Sequence, residues 1–176
     1  LDVKTDGKAS VTLFTSFNPG SGKTFLTMNT AATIALKGKR VLVIDGDLRH
    51  GSASAYLGSL YKGLSDYLGK REKSLNDLIQ ENPDCPGFFL LPAGTIPPNP
   101  TELLAEPLFK ETIEQLRGYY DYIFIDCPPI DIVADTQIIE KLADRTIFVV
   151  RAGLLERDML PELQPMYDGK RLQNMT

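Results

Sequence analysis

An α/β fold, a mostly parallel sheet flanked by helices on both faces, follows from three features of this 176-residue sequence. Short apolar, β-branched runs recur at 11–14, 41–44, 88–91, 122–125 and 146–150. They are near-continuous rather than alternating, as strands covered on both faces require. Helical patterns separate most of them, which implies parallel neighbours joined by right-handed crossovers.

Taken in order, the first strand at 11–14 leads through a Gly/Pro/Ser loop into a helix over 23–37. That helix carries Phe25, Leu26, Met28, Ala31, Ala32, Ile34 and Ala35, and Gly38 is its left-handed stop. The second strand follows at 41–44. Residues 51–69 are irregular, with Gly and Ser punctuation and Tyr56, Tyr61 and Tyr67, and read as a surface excursion of short helices. Six of the 12 prolines fall between 83 and 100, yet the run Phe88 to Leu91 interrupts them. Loops flanking a short strand therefore fit better than an interdomain linker. Helical patterns at 108–117 and 136–142 frame the last two strands. One domain over 1–176 is expected, cut at both ends, because the first strand starts about ten residues in and another strand is expected after the last helix.

With 19 Lys and Arg against 23 Asp and Glu, the net charge is −4. No nucleic-acid partner held by a broad basic face is expected, so any polyanion must be bound locally. The sequence has no apolar run near the roughly 18 residues that span a bilayer and no signal-like opening. Cys85 and Cys127 are too few for a disulfide scaffold and have no zinc-ligand spacing. A single histidine, His50, argues against a Ser/His/Asp triad.

Directly after the first strand comes Thr15-Ser16-Phe17-Asn18-Pro19-Gly20-Ser21-Gly22-Lys23-Thr24. It resembles a Walker A loop, in which glycines let successive amides turn onto phosphate oxygens at a helix N-terminus. Asn18, Pro19, Gly20, Ser21, Gly22, Lys23, Thr24 and Phe25 would hold ATP or ADP. Lys23 would reach the β- and γ-phosphates, and the Thr24 hydroxyl would bind Mg²⁺. The motif's first glycine falls on Phe17, a departure offset by the strand-then-helix context.

Two further strands end in carboxylates: Asp45-Gly46-Asp47-Leu48-Arg49 after 41–44, and Asp126-Cys127-Pro128-Pro129 after 122–125. Carboxyl ends of parallel strands line the ligand crevice, so Asp45, Asp47 and Asp126 should converge on Lys23 and Thr24. Mg²⁺ takes few protein ligands, which suits Thr24 as a direct ligand with Asp126 and Asp45 holding its waters. Asp47 has turn capping as its alternative role.

These three elements look like Walker A, A′ and B of the bacterial tyrosine kinases, P-loop domains linked to polysaccharide co-polymerases of the inner membrane. Residues 94–104 resemble a further signature of that family, and 149–153 its next strand end. The resemblance covers roughly 9–176. Related chromosome-partitioning and division-site ATPases carry a second lysine early in the loop, where this sequence has Asn18. The resemblance implies ATP-dependent phosphorylation of protein tyrosines, chiefly on another copy of the chain, and a role in exopolysaccharide biosynthesis. It also implies a cytoplasmic domain of an inner-membrane protein, partnered by a transmembrane co-polymerase region. The sequence lacks the family's N-terminal Arg/Glu helix and tyrosine cluster, which weakens the expectation of a homo-oligomer and of self-phosphorylation. The alternative is an ATP-dependent assembly switch without tyrosine transfer.

For the transfer, Lys23 would stabilise charge while Asp45 or Asp47 orients or deprotonates the tyrosine. Arg151, at a strand's carboxyl end, is placed near the nucleotide or on the open surface. Arg49 would contact the acceptor or form a plain salt bridge. Asp131 and Asp135 follow Pro129 and are expected near the active face, with Asp135 equally suited instead to cap the helix at Thr136. Cys127 reads as a small core residue, His50 as solvated, and Tyr119, Tyr120 and Tyr122 as packing.

Overall fold

The structure, a computed structural model, describes residues 7–57, 61–130, 134–168, 172 and 175–176. Its six-stranded sheet comprises β1 (Ser10–Thr15), β2 (Val41–Asp45), β3 (Gln80–Glu81), β4 (Phe88–Leu91), β5 (Tyr122–Asp126) and β6 (Arg145–Phe148). The spatial order is β3-β4-β2-β5-β1-β6, parallel throughout except for antiparallel β3 on the edge. The five expected strands are all present. The last ends at Phe148 rather than Val150, although the Val149 N–H still donates to the Thr15 carbonyl at 2.8 Å.

Helices α1 (Lys23–Ala35), α2 (Leu64–Leu68), α3 (Pro100–Ala105), α4 (Pro107–Leu116), α5 (Asp135–Glu140) and α6 (Leu160–Asp168) complete the fold. The first stops two residues short of the expected limit. Gly38, at φ 78°, closes the turn by donating its N–H to the Ala35 carbonyl. Proline at the first position starts both α3 and α4.

All residues of β2 and β5 are buried, which explains their unbroken apolar sequence. Alternate side chains feed two cores. Leu13, Leu42, Ile44 and Ile123 meet Phe109 and Ile113 of α4 on one face. Phe14, Val43 and Phe124 meet Met28, Ala31 and Ala35 of α1 on the other. The excursion at 51–69 is less superficial than the sequence suggests. Leu64 and Leu68 of α2 are buried in the first core, because the α2 N-terminus docks on the chain leaving β4.

Candidate nucleotide site and its acidic wall

β1 ends where the phosphate loop begins. The loop is folded by its own serines, since Ser16 Oγ and Ser21 Oγ both donate to the Asn18 carbonyl, at 2.8 and 2.7 Å. Gly20 and Gly22 take φ of 74° and 94°, the left-handed region that side chains resist. No side chain caps α1 and no acidic residue enters its first turn. The helix therefore presents free amides and partial positive charge to an anion. Phe17, the departure from the Walker pattern, is 4% exposed and meets Phe148 edge-on with ring centroids 4.9 Å apart. A glycine there is replaced by an anchor to β6.

The loop opens on a cavity of about 590 Å³. Pro19, Gly20, Gly22, Lys23, Thr24 and Phe25 line one side; Asp47, Arg49, His50 and Ser52 line the other, with Pro128 and Pro129 beside them. Arg151 reaches the loop from its rim, donating to the Gly20 carbonyl at 3.0 Å. Asn18 and Ser21 shape the loop from behind and do not line the cavity.

Sheet register sets the carboxylates. Asp45 and Asp126 are Cα partners at the ends of β2 and β5. The Thr24 hydroxyl donates to Asp126 Oδ2 at 2.6 Å, while the buried Asp126 Oδ1 finds no hydrogen-bond partner among the described residues. Burial pushes the Asp126 carboxyl from 3.8 up to about 7; the Thr24 hydrogen bond and Lys23 oppose the rise, and the charges of Asp45 and Asp47 add to it. A hydroxyl backed by an orphaned carboxylate oxygen suits a hard divalent cation that keeps its waters. Among the described residues no group of three or more His, Cys, Asp or Glu could cage a metal; a cation at Thr24 would keep waters or take phosphate oxygens in the rest of its shell.

Asp45 is fully buried and turned onto its own loop. Its Oδ2 accepts from Ser54 N and Oγ at 2.7 and 2.6 Å, and Oδ1 accepts from Asp47 N at 3.2 Å. Burial pushes it up to about 6 against the Ser54 and Asp47 hydrogen bonds. Asp45 thus backs the wall, and Asp47 forms it. Asp47 Oδ1 accepts from the Arg49 and His50 amides, and His50 Nδ1 stands 3.2 Å from both its oxygens.

Arg49 makes the salt bridge among its two expected roles. Its Nε donates to Asp135 Oδ2 at 3.1 Å, a second nitrogen donates to Thr101 Oγ1 at 2.9 Å, and Thr101 donates to the other Asp135 oxygen. Asp135, fully buried at the start of α5, holds this ring rather than capping the helix. Sequence reading missed Thr101 and the ring; the signature at 94–104 was the available signal. Asp131 lies outside the described residues. Cys127 is a core residue whose thiol burial pushes well above its usual range. Tyr120 meets Phe89 edge-on with Arg40 over both rings, and Tyr122 is buried, as packing predicts, whereas Tyr119 is exposed.

A family model described as an AAA domain matches residues 10–155. The tyrosine-protein kinase CpsD of Streptococcus agalactiae serotype III is 36% identical over 160 residues, covering 89% of this chain and 68% of CpsD. The kinase domain of Escherichia coli tyrosine kinase ETK superposes with a TM-score of 0.86 at 31% identity, over 98% of this chain and 66% of that one. The septum site-determining protein MinD of Pyrococcus horikoshii, solved with Mg-ADP, gives 0.76 at 27% identity over 95% and 68%. The chain spans from about a fifth to about two-thirds of the length of the curated relatives it matches. On sequence and fold alike, the chain belongs to the bacterial tyrosine kinase family of P-loop proteins.

Proposed function

We propose that this chain is the catalytic domain of an ATP-dependent protein tyrosine kinase, its acceptor a tyrosine on another copy or on a partner protein. The observation that carries the reading is one cavity with two chemistries. An amide-lined loop with Lys23 and Thr24 faces a carboxylate, Asp47, that no phosphate needs. Phosphoryl transfer is mostly positioning and charge neutralisation, and both walls supply it.

Gly20, Gly22, Lys23, Thr24 and the α1 N-terminus hold the phosphates, and Lys23 neutralises charge on the transferred group. The Thr24 hydroxyl, with Asp126 behind it, would hold Mg²⁺, which when bound would add to the neutralisation of phosphate charge. The phenolic oxygen attacks the γ-phosphorus in line. The bond from phosphorus to the β,γ-bridging oxygen breaks, ADP leaves with that electron pair, and the phenolic proton passes to Asp47. A free phenol, with a pKa of about 10, gains from a carboxylate at that point. Asp45 holds the loop that carries Asp47.

We infer, with the family likeness as support, that the domain works beside a membrane polysaccharide co-polymerase and in control of exopolysaccharide production. No helix among the described residues is long and apolar enough to cross a membrane. Incubation with γ-labelled ATP, Mg²⁺ and a tyrosine-rich peptide tests the reading. Label on tyrosine supports the kinase; phosphate release with unlabelled peptide supports the assembly switch instead.

A further inference from the structure

The 94–104 signature has a second consequence beyond Thr101. Beside the phosphate cavity lies a smaller one of about 210 Å³. Leu48, Ala55, Ala93, Gly94 and Ile96 give it apolar walls, and the chain's own Tyr61 lines it beside them. His50 belongs to both cavities, so the two adjoin at the loop that follows β2. Ser54, also in its wall, is the residue that donates twice to Asp45.

We propose that this smaller cavity receives the aromatic ring of the acceptor tyrosine, an inference that rests on the tyrosine-transfer reading above. Volume selects the occupant. An apolar cavity of about 150 Å³ takes up benzene, whereas drug-sized ligands need about 300 Å³ or more. A phenol with its methylene fits; a nucleoside does not. Polarity agrees, because the walls offer apolar surface to a ring and His50, at the junction of the two cavities, offers a polar edge to its hydroxyl. Position agrees too. A ring seated here with its hydroxyl toward His50 points at the wall where Asp47 stands, across from Lys23 and Thr24.

The cavity is built rigidly. Ala93 N donates to Ser54 Oγ at 2.8 Å, tying the chain after β4 to the 3₁₀ turn Ser54–Leu57. Asp66 Oδ2 accepts from both Thr95 N and Gly63 N at 3.0 Å, and Ser65 Oγ donates to the Thr95 carbonyl at 2.6 Å. Gly94 takes φ of 88°, and a Cβ there would meet Asp66 Oδ2 at 2.5 Å, so only glycine lets α2 brace this wall. At the rim Ile96 is 68% exposed, an isolated apolar side chain suited to the flank of an incoming peptide.

The test fills the cavity without touching the phosphate loop. Ala55 is exposed on the 3₁₀ turn, so Ala55→Trp places an indole in the cavity without replacing a core residue. Ile96→Ala trims the rim and guards against a folding failure of the first variant, with a thermal melt run on both. Affinity for a tyrosine peptide is measured on protein loaded with Mg²⁺ and a non-hydrolysable ATP analogue, alongside analogue affinity and transfer kinetics.

Ala55→Trp should weaken peptide binding and raise its KM about tenfold or more, and Ile96→Ala about threefold, with analogue affinity within about twofold of wild type. A peptide with Ala for Tyr should lose binding similarly on the wild type. Unchanged peptide affinity in both variants overturns the pocket, as does a loss confined to the nucleotide, which would make this the base site, or a wild type that binds no peptide. Pocket-dependent binding without transfer would sink the kinase reading and leave the pocket standing; transfer indifferent to both variants would do the reverse.

Discussion

Asp126→Asn should make the nucleotide-free protein more stable near pH 8 while weakening its hold on Mg²⁺-nucleotide. Asp126 is 1% exposed and one of its oxygens has no hydrogen-bond partner among the described residues. Burial raises its carboxyl from 3.8 to about 7, which corresponds to at most about 4 kcal/mol of preference for the neutral form. Relaxation and water in the adjoining phosphate cavity reduce the figure to about 1–3 kcal/mol. The sign follows from linkage. A carboxyl raised on folding contributes stability that is fully present below pH 3.8 and is lost as pH rises through about 7. Urea denaturation of wild type and variant, without nucleotide, at pH 4.5 and pH 8 measures this. The two should differ little at pH 4.5, and the variant should be the more stable by about 1–3 kcal/mol at pH 8. A variant equally or less stable at pH 8 would refute the claim that an ionised Asp126 is held here at a cost until a cation arrives.

Three other outcomes follow from the same geometry. Phe17→Gly restores the Walker glycine yet removes the Phe148 contact, so it should cost about 3–5 kcal/mol in a denaturation curve without tightening nucleotide binding. Gly22→Ala forces a side chain onto φ 94° at the mouth of α1; calorimetry should show about 1–2 kcal/mol of lost stability and at least tenfold weaker nucleotide affinity. Asp135→Ala breaks the ring with Arg49 and Thr101 and should cost about 1–3 kcal/mol by urea titration.

Much of this arrangement was legible because burial on both faces writes itself as unbroken apolar strands, and because Asp45 and Asp126 end such strands while Lys23 opens the helix after the loop that follows β1. What escaped sequence reading is held by long-range or backbone contacts. β3 is two polar residues, Gln80 and Glu81, kept in place by pairing with Leu90 and Phe89. Its side chains carry no strand signal. α2 reads as surface because its burial comes from Pro92 and Ala93 docking through backbone hydrogen bonds. Thr101 and Asp135 are 34 residues apart and gain meaning only when α3 and α5 bring them to Arg49. Asp45 and Asp47 share one motif, and only the hydrogen bonds of Ser54 reveal that the first is turned away from the cavity.

The assignment of Asp47 as the group that meets the acceptor is the centre of the chemistry, and Asp47→Asn isolates it. Nucleotide affinity and label transfer to a tyrosine peptide, measured on the same preparation, should separate: affinity within about threefold of wild type, transfer down by about a hundredfold or more. Transfer at the wild-type rate in that variant would contradict the account.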